Sequence, residues 1–258
     1  MTQLAQQLFA LYSCLDIIAK GIMRCVLNPS FPVLRMLPSP RPPPANTPGF
    51  PRVFSAVRNT ETQQIEPLEF VRLRKDLWET RDETIDYLNL VFDATFHGKN
   101  VLAKVVFRSY EGDVHTHLAT NHMAPLLFGT CDVQGIASVV VMELLGDGWV
   151  TLFDYRENQH RNGIPEDARR RLLKRIEEIL DCLGTARMVH GDFRMANMML
   201  KPGEEEKAML IDFDWAGEVG RARYPVTRSD GHGYPGDPGG LIGAGDDRQF
   251  YETWKDKI

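Results

Sequence analysis

Cysteine is scarce in this chain, and its four copies are widely spaced. Cys14, Cys25, Cys131 and Cys182 form no C-x-x-C pair, and such pairs are the usual sequence sign of a zinc ribbon or a redox motif. The spacing also argues against a disulfide scaffold. We therefore expect a reducing compartment, with the cytoplasm as the default.

The chain also lacks an excess of positive charge and a long, uninterrupted apolar run. Its formal net charge of -5 makes nucleic acid and an anionic membrane surface poor candidates for partners. The segment LFALYSCLDIIAKGIMRCVL is apolar, but Asp16, Lys20 and Arg24 interrupt it and no basic stretch precedes it. We expect neither a membrane span nor a signal peptide.

Residues 1–52 are predicted to form a helix and a linker. Apolar residues at steps of three and four predict one stripe of an amphipathic helix, made of Leu4, Leu8, Leu11, Leu15, Ile18, Ile22 and Cys25. This helix either packs on the rest of the chain or pairs with a protein partner. The prolines of NPSFPVLRMLPSPRPPPANTPGFP then predict an extended linker, with a docking peptide as the alternative.

Apolar and polar residues alternate from residue 88 to residue 96, and the turn-forming HGKN and the apolar VLAKVVF come next. A period of two around such a turn predicts a β-hairpin. VVVMELL, residues 139–145, predicts a buried strand. Between them, HTHLATNHMAPLL predicts a helix up to Pro125.

The second half combines a long helix with a further hairpin, so the fold class is α+β. The helix is predicted from Pro165 to Gly184, with an apolar face made of Ala168, Leu172, Leu173, Ile176, Ile179, Leu180 and Leu183. MML, the turn-like KPGEEEK and the strand-like MLIDFDW predict the hairpin.

One short loop, MVHGDFRMANMML at residues 188–200, gathers groups that suit phosphoryl transfer. This reaction needs a carboxylate to orient the attacking hydroxyl, oxygen ligands for magnesium and a cation on the nucleotide phosphates. Asp192 would be the carboxylate, and Asn197 would offer a carbonyl oxygen to the metal. Asp212, after the next strand, would be the charged metal ligand.

HGDFRMAN resembles the catalytic loop of the protein-kinase-like superfamily, and DFD at residues 212–214 stands where that superfamily has D-F-G. The glycine of H-G-D resembles the aminoglycoside and choline kinase branch. The stretches MAPLLFGTC, VVVMELL, VHGDFRMAN and LIDFDWAG followed by RYP are most similar to kinase-like proteins of mushroom-forming fungi. The resemblance implies a two-lobed fold, with an N-lobe at residues 53–145 and a helical C-lobe at 146–258.

The resemblance also implies a nucleotide site. Lys104, inside the apolar strand VLAKVV, would bind the phosphates, with Asp113 as its acidic partner and Glu111 as a second choice. Met142 would lie at the back of the adenine pocket. The backbone groups of Glu143 and Leu145 would bond to adenine.

For the catalytic loop, the resemblance implies that Arg194 faces the transferred phosphate, and a salt bridge to a surface acid is the alternative. His190 is expected to be structural. His115, His117 and His122 are interpreted as polar surface rather than a metal site, because the first two diverge on a helix. The tail HGYPGDPGGLIGAGDD is expected to be irregular, with Asp246 pairing with the RYP segment.

The sequence departs from the family pattern in its phosphate loop and its C-terminal part. No glycine occurs between Gly49 and Gly98, although a loop over the phosphates needs glycine. No A-P-E motif is present, which disfavours protein substrates. The leading hypothesis is Mg²⁺- and ATP-dependent phosphoryl transfer to a hydroxyl of a small molecule; the alternative is a pseudokinase that acts as a binding module.

Overall fold

The structure, a computed structural model, describes residues 56–74, 89–106, 110–133, 137–159, 163–226, 228 and 233–258. The predicted N-terminal helix and proline-rich linker, residues 1–52, lie outside the described residues. So do residues 75–88, which join two strands of the N-lobe sheet. The glycine-free stretch therefore lies partly in this connection.

A seven-stranded antiparallel sheet forms the N-lobe. Its strands are β1 (Ala56–Asn59), β2 (Ile65–Pro67), β3 (Glu69–Leu73), β4 (Asn89–Phe96), β5 (Lys99–Val106), β6 (Leu127–Val133) and β7 (Ala137–Glu143). They lie side by side in the order β2-β1-β6-β7-β5-β4-β3. The predicted strand at 139–145 is confirmed, but it begins two residues earlier and ends at Glu143.

The predicted hairpin is confirmed as β4 and β5. Phe96 pairs with Lys99, which leaves His97 and Gly98 as a two-residue turn. Both turn residues have positive φ, 51° and 71°, as the tight turn matching the twist of paired strands requires. The turn fixes the register, and the register decides which face each side chain of β5 occupies.

Lys104 lies on the face of β5 that points toward the C-lobe. Ala103 and Val105 belong to the core on the opposite side of the sheet, whereas Leu102 and Val106 pack with Met142 of β7. Since side chains alternate along a strand, Lys104 shares the face of Leu102 and Val106, as predicted.

Four α-helices complete the described residues: α1 (Gly112–Thr120), α2 (Leu152–Asn158), α3 (Glu166–Thr185) and α4 (Asp246–Glu252). Helix α3 confirms the predicted helix almost residue for residue, and its buried face is the predicted apolar stripe apart from Leu173, which is only partly buried. The helix predicted up to Pro125 ends instead at Thr120. His122 comes shortly after with a φ of 55°, a conformation that does not continue a helix.

The C-lobe core also includes α1, which comes after the N-lobe strand β5 in the chain. Val114 and Leu118 of α1 belong to the same buried cluster as Leu172 and Ile176 of α3. Helix α1 is therefore anchored to the C-lobe. Among the described helices, none combines the length and the apolar character that crossing a membrane requires.

Two small sheets frame the loop singled out in the sequence. The first contains β8 (Val150–Thr151), β10 (Met198–Leu200) and β11 (Met209–Leu210), and the second contains β9 (Met188–Val189) and β12 (Gly217–Glu218). Met198 pairs with Leu210, which confirms the second hairpin. Its last strand is shorter than predicted, so the DFD residues come after the strand rather than belonging to it.

Candidate active site

The loop between β9 and β10, residues 190–197, is held from below by the C-terminal helix. The carboxylate of Asp247 in α4 accepts hydrogen bonds from the backbone N–H groups of His190 and Gly191, at 2.6 and 2.8 Å. Trp254 Nε1 donates to the carbonyl oxygen of Phe193 at 3.0 Å. These three bonds satisfy buried backbone groups, so they fix the loop where Asp192 projects from it.

The backbone conformation and the close neighbours of residue 191 explain why the H-G-D motif has glycine there. Gly191 has a φ of 81°, and a Cβ at this position would lie 2.6 Å from Ile242 Cδ1 and 3.2 Å from Trp215 Cβ. A side chain would therefore strain the backbone and displace its neighbours. An arginine, as in H-R-D, does not fit this loop.

We expect Gly191→Ala to lower the free energy of unfolding by about 1–3 kcal/mol, because it adds both strain and a clash. Gly184→Ala is the matched control. Gly184 lies in α3 with no atom within 4 Å of its added Cβ, so this change should be neutral or slightly stabilising. Equal effects of the two changes on denaturant unfolding would contradict the steric explanation.

Asp192 is almost fully buried, with 4% of its surface exposed, and its two oxygens have different partners. Oδ2 accepts from Asn197 Nδ2 at 2.7 Å and lies 3.0 Å from Arg194 Nε. Oδ1 accepts from the hydroxyl of Tyr234 at 2.6 Å. Arg194 therefore pairs with the loop's own carboxylate, not with the surface acid considered from the sequence.

Across from this loop, Lys104 contacts two aspartates of the DFD motif. Its Nζ lies 2.5 Å from Asp212 Oδ1 and 2.7 Å from Asp214 Oδ1. Asp212 has a φ of 69°, so the chain turns sharply as it leaves β11. The structure thus joins the N-lobe strand to the metal-binding candidate through a partly buried ion cluster.

Burial and the neighbouring charges shift the pKa values of all three residues in this cluster. Burial and the neighbouring Asp212 charge raise the pKa of Asp214 to about 6, despite the opposing effect of Lys104. Burial acts to raise the pKa of Asp212 as well, but the Lys104 ammonium outweighs it, so this pKa is lowered. Burial acts to lower the pKa of Lys104, but the two carboxylates outweigh it, so this pKa is raised. Lysine thus stays charged and Asp212 ionised at neutral pH.

The predicted acidic partner of Lys104 is wrong. Asp113 lies exposed in the first turn of α1 and Glu111 is exposed just before it, and Lys104 pairs with neither. In the described part of the chain its partners are Asp212 and Asp214. Helix α1, which was expected to supply the acid, packs against α3 instead. The buried face of α1 therefore points toward the C-lobe.

Of the histidine predictions, the one for His190 is supported and the one for His115 is wrong. His190 is fully buried, and its Nε2 donates to the carbonyl oxygen of Ile211 at 3.0 Å, which agrees with a structural role. His115 is not surface but core: it is fully buried and stacks on Phe213, with ring centroids 4.5 Å apart. Burial lowers the pKa of His115 to about 4, so it is neutral at physiological pH.

The residues predicted to contact adenine lie in β7 and just after it. Met142 is buried among Val106, Leu127 and Val140, beneath the sheet face that carries Lys104. The backbone N–H of Glu143 is used within the protein, because it donates to the carbonyl oxygen of Leu126. Just beyond the strand, the N–H of Leu145 makes no hydrogen bond within the described residues.

A divalent cation would have to use mixed ligands here. Within the described part of the chain, no three His, Cys, Asp or Glu side chains cluster closely enough to hold a metal. Asn197 uses its amide nitrogen for Asp192, which leaves its carbonyl oxygen available beside the loop. Together with Asp212 or Asp214, this oxygen suits Mg²⁺, which commonly takes one or two carboxylates and completes its shell with phosphates and water.

Three residues of the site were not found from the sequence: Asp214, Asp247 and Tyr234. Asp214 is part of the DFD motif, but only Asp212 was given a role. Asp247 is adjacent to Asp246, and only Asp246 was predicted to make a contact. The Asp246 prediction is confirmed, since Tyr224 of the RYP segment donates to Asp246 Oδ2 at 2.9 Å. Tyr234 lies in the glycine-rich tail, where no local pattern points to Asp192.

Two cavities among the described residues lie away from the candidate site. One of about 530 Å³ opens between the end of α3 and the start of α4, and another of about 270 Å³ lies at the β1–β6 end of the N-lobe sheet. Neither is lined by Lys104, Asp192 or Asp212. Geometry and chemistry, rather than cavity size, identify the candidate site.

Two comparisons with known proteins found similarities to kinases. The model of the lipopolysaccharide kinase (Kdo/WaaP) family matches residues 120–228, a span that contains both the H-G-D loop and the DFD motif. The structure of the Cydia pomonella granulovirus kinase PK-1 matches with a TM-score of 0.51 and 17% sequence identity, over 74% of this chain and 67% of that one. No curated protein is similar enough to count as a match.

The structural match shows a kinase-like α+β fold, with a curled antiparallel N-lobe sheet and a mixed C-lobe. At 17% identity, the viral kinase is informative about the fold alone. The family model matches less than half of the chain, residues 120–228. Neither match supports the assignment to fungal-type kinase-like proteins.

Proposed function

We propose that this protein transfers the terminal phosphoryl group of ATP to a hydroxyl group, with magnesium and with a small molecule as the acceptor. One observation carries the proposal: Lys104 of the N-lobe pairs with Asp212 of the C-lobe, and the preceding residue, Ile211, is hydrogen-bonded to the loop that carries Asp192. Phosphoryl transfer needs these groups and little other chemistry from a protein.

The nucleotide side of the proposal uses the N-lobe. The apolar surface around Met142 would cover adenine, and the unbonded N–H of Leu145 would donate to the ring. Lys104 is charged and held at the inner end of this surface, where it would meet the phosphates. Asp212 and Asn197, and Asp214 beside them, would hold Mg²⁺, which would neutralise phosphate charge.

The acceptor side uses the catalytic loop. Asp192 would accept the proton of the attacking hydroxyl, and Asn197 and Asp247 would keep Asp192 in position. Arg194, whose guanidinium already lies beside Asp192, would face the transferred group. The glycine of H-G-D supports a likeness to small-molecule kinases of the aminoglycoside and choline type, and the missing A-P-E motif supports a small acceptor.

We expect nucleotide binding to require magnesium. The carboxylates of Asp212 and Asp214 would repel ATP phosphates unless a cation lies between them. Mg²⁺ with ATP should raise the melting temperature, because a ligand that binds the native state stabilises it by mass action. ATP with a chelator should give little or no shift.

Two variants sharpen this thermal-shift titration. Asp212→Asn should weaken the response to both Mg²⁺ and ATP, whereas Asp256→Asn, at an exposed position, should leave it intact. An equal ATP shift with and without chelator would refute the magnesium requirement. The absence of any shift at millimolar nucleotide would count against the proposed function as a whole.

A second candidate function is a nucleotide-free binding module, or pseudokinase. It is favoured by one feature: Lys104 is engaged by two aspartates of the DFD motif, and no acid of α1 holds it in place for phosphates. Under this alternative, ATP gives no shift and Asp192 has no effect on any rate. We propose a cytoplasmic location, which the free thiols of Cys131 and Cys182 support.

A further inference from the structure

The two carboxylate oxygens of Asp192 have different hydrogen-bond partners, so they can serve different roles. Oδ2 is occupied by residues of the same loop, Asn197 and Arg194. Oδ1 is therefore the oxygen left to accept the proton of an acceptor hydroxyl. In the structure a hydroxyl is already there: Tyr234 donates to Oδ1 at 2.6 Å.

Tyr234 reaches this position from the glycine- and proline-rich segment GYPGDPGG, residues 233–240. Its ring packs against Phe250 and Trp215, with centroids 4.7 and 5.3 Å away. The Arg228 guanidinium stacks over the ring at 5.0 Å and over Tyr224 at 4.5 Å. Ring contacts and a cation–π interaction thus aim the hydroxyl at the catalytic carboxylate.

We propose that Tyr234 is an internal phosphate acceptor, a phosphorylation site that the protein fills on itself. The inference rests on the proposed function, because it needs bound ATP. The phenolic oxygen would bond to the terminal phosphorus of ATP, and Asp192 would take the phenolic proton. The bond from that phosphorus to its bridging oxygen would break, and the electron pair would leave with ADP.

The charges around Tyr234 determine where its side chain goes once it carries the phosphate. A phosphorylated tyrosine carries about -1.5 to -2 charges, so it would be repelled from Asp192. Arg194 and Arg228 both act electrostatically on Tyr234, and they offer cations with which the phosphate can pair. The modified side chain would therefore leave Oδ1, and the position would open to an external hydroxyl.

The test is to incubate the full chain with Mg²⁺ and ATP and to locate phosphate by peptide mass spectrometry. We expect one phosphate on Tyr234, formed at a rate constant that does not depend on protein concentration. Asp192→Asn should slow its formation about 100- to 10,000-fold, and Tyr234→Phe should abolish it. Tyr155→Phe is the matched control, because the Tyr155 hydroxyl also donates to a buried carboxylate, that of Glu205, outside the site.

Each outcome decides the matter when Mg²⁺–ATP thermal shifts are measured on the same samples. Phosphate on Tyr234 that needs Asp192 and forms with a concentration-independent rate constant supports the proposal. ATP binding and Asp192-dependent ATP hydrolysis without phosphate on Tyr234 overturn it and leave the proposed function standing. An observed rate constant that rises in proportion to protein concentration also overturns it, since the acceptor then comes from another copy. No ATP shift and no hydrolysis overturn the proposed function and this inference together.

Discussion

Replacing Asp192 by Asn will lower the rate of ATP turnover by about two to four orders of magnitude, the usual share of general-base catalysis. The amide keeps the size of the carboxylate but cannot accept the proton of an attacking hydroxyl or water. ATP affinity should change little, because Asp192 lies on the acceptor side of the cleft. Binding and chemistry would thus separate, as expected for a group used in the transition state.

The measurement is basal ATP hydrolysis, with water in place of the unknown acceptor, alongside a thermal-shift titration with Mg²⁺–ATP. Asp256→Asn is the control for the change of aspartate to asparagine at an exposed position. The variant must also be shown to fold, because asparagine at 192 cannot satisfy all of the donors that now point at the carboxylate. If the folded Asp192→Asn protein hydrolyses ATP as fast as the native one, the catalytic role of Asp192 is refuted.

Replacing Lys104 by Met will destabilise the protein by about 1–3 kcal/mol at neutral pH, because it removes the buried cation of a partly buried ion cluster. The carboxylates of Asp212 and Asp214 are partly exposed, so water screens part of the charge that is left uncompensated. Met fills most of the same volume, so lost packing is a small part of the effect. The exposed Lys99 on the same strand provides the control, and Lys99→Met should change stability by less than about 0.5 kcal/mol.

The destabilisation by Lys104→Met should depend on pH with a definite sign. In the native protein the pKa of Asp212 is lowered, so its contribution is present above its ordinary pKa and lost as the pH falls. The pKa of Asp214 is raised to about 6 by burial first, so its contribution is present at low pH and lost as the pH rises. Without Lys104, both carboxyls are partly buried side by side without a cation, and both pKa values should be raised.

The stability of Lys104→Met should therefore fall as the pH rises from about 4 to 7, and its difference from the native protein should grow over this window. Denaturant unfolding at several pH values measures this directly. A difference that is the same at both ends of the window would show that lost packing, rather than lost charge, causes the destabilisation.

Local patterns predicted the parts of the fold that depend on local physics. The period of 3.6 residues identified α3 and its buried face, and alternation around HGKN identified the β4–β5 hairpin, because one buried face imposes each pattern. Strands β1 to β3 were missed. They are only three to five residues long, and β2 has no fully buried residue, so they leave almost no hydrophobic signal.

Among the site residues, those in contiguous motifs were predictable and those that make long-range contacts were not. Asp192, Asn197 and Asp212 stand in contiguous motifs, so their neighbourhood was predictable, although their catalytic and metal-binding roles stay predictions. The partner of Lys104 was not predictable, since it lies 108 positions away and depends on how the lobes meet. The contacts of Tyr234 and Asp247 with the loop are long-range in the same sense, and polar residues carry no periodicity that reveals them.

The bonds from Asp247 and Trp254 to the catalytic loop also set an order of events during synthesis. Residues 190–193 leave the ribosome before the side chains that hold their backbone groups have been made. A chain in production can form α3 and the N-lobe sheet, yet its catalytic loop stays without its supports until translation has passed Trp254. We expect the proposed ATP turnover to emerge late and abruptly, once these supports have been made.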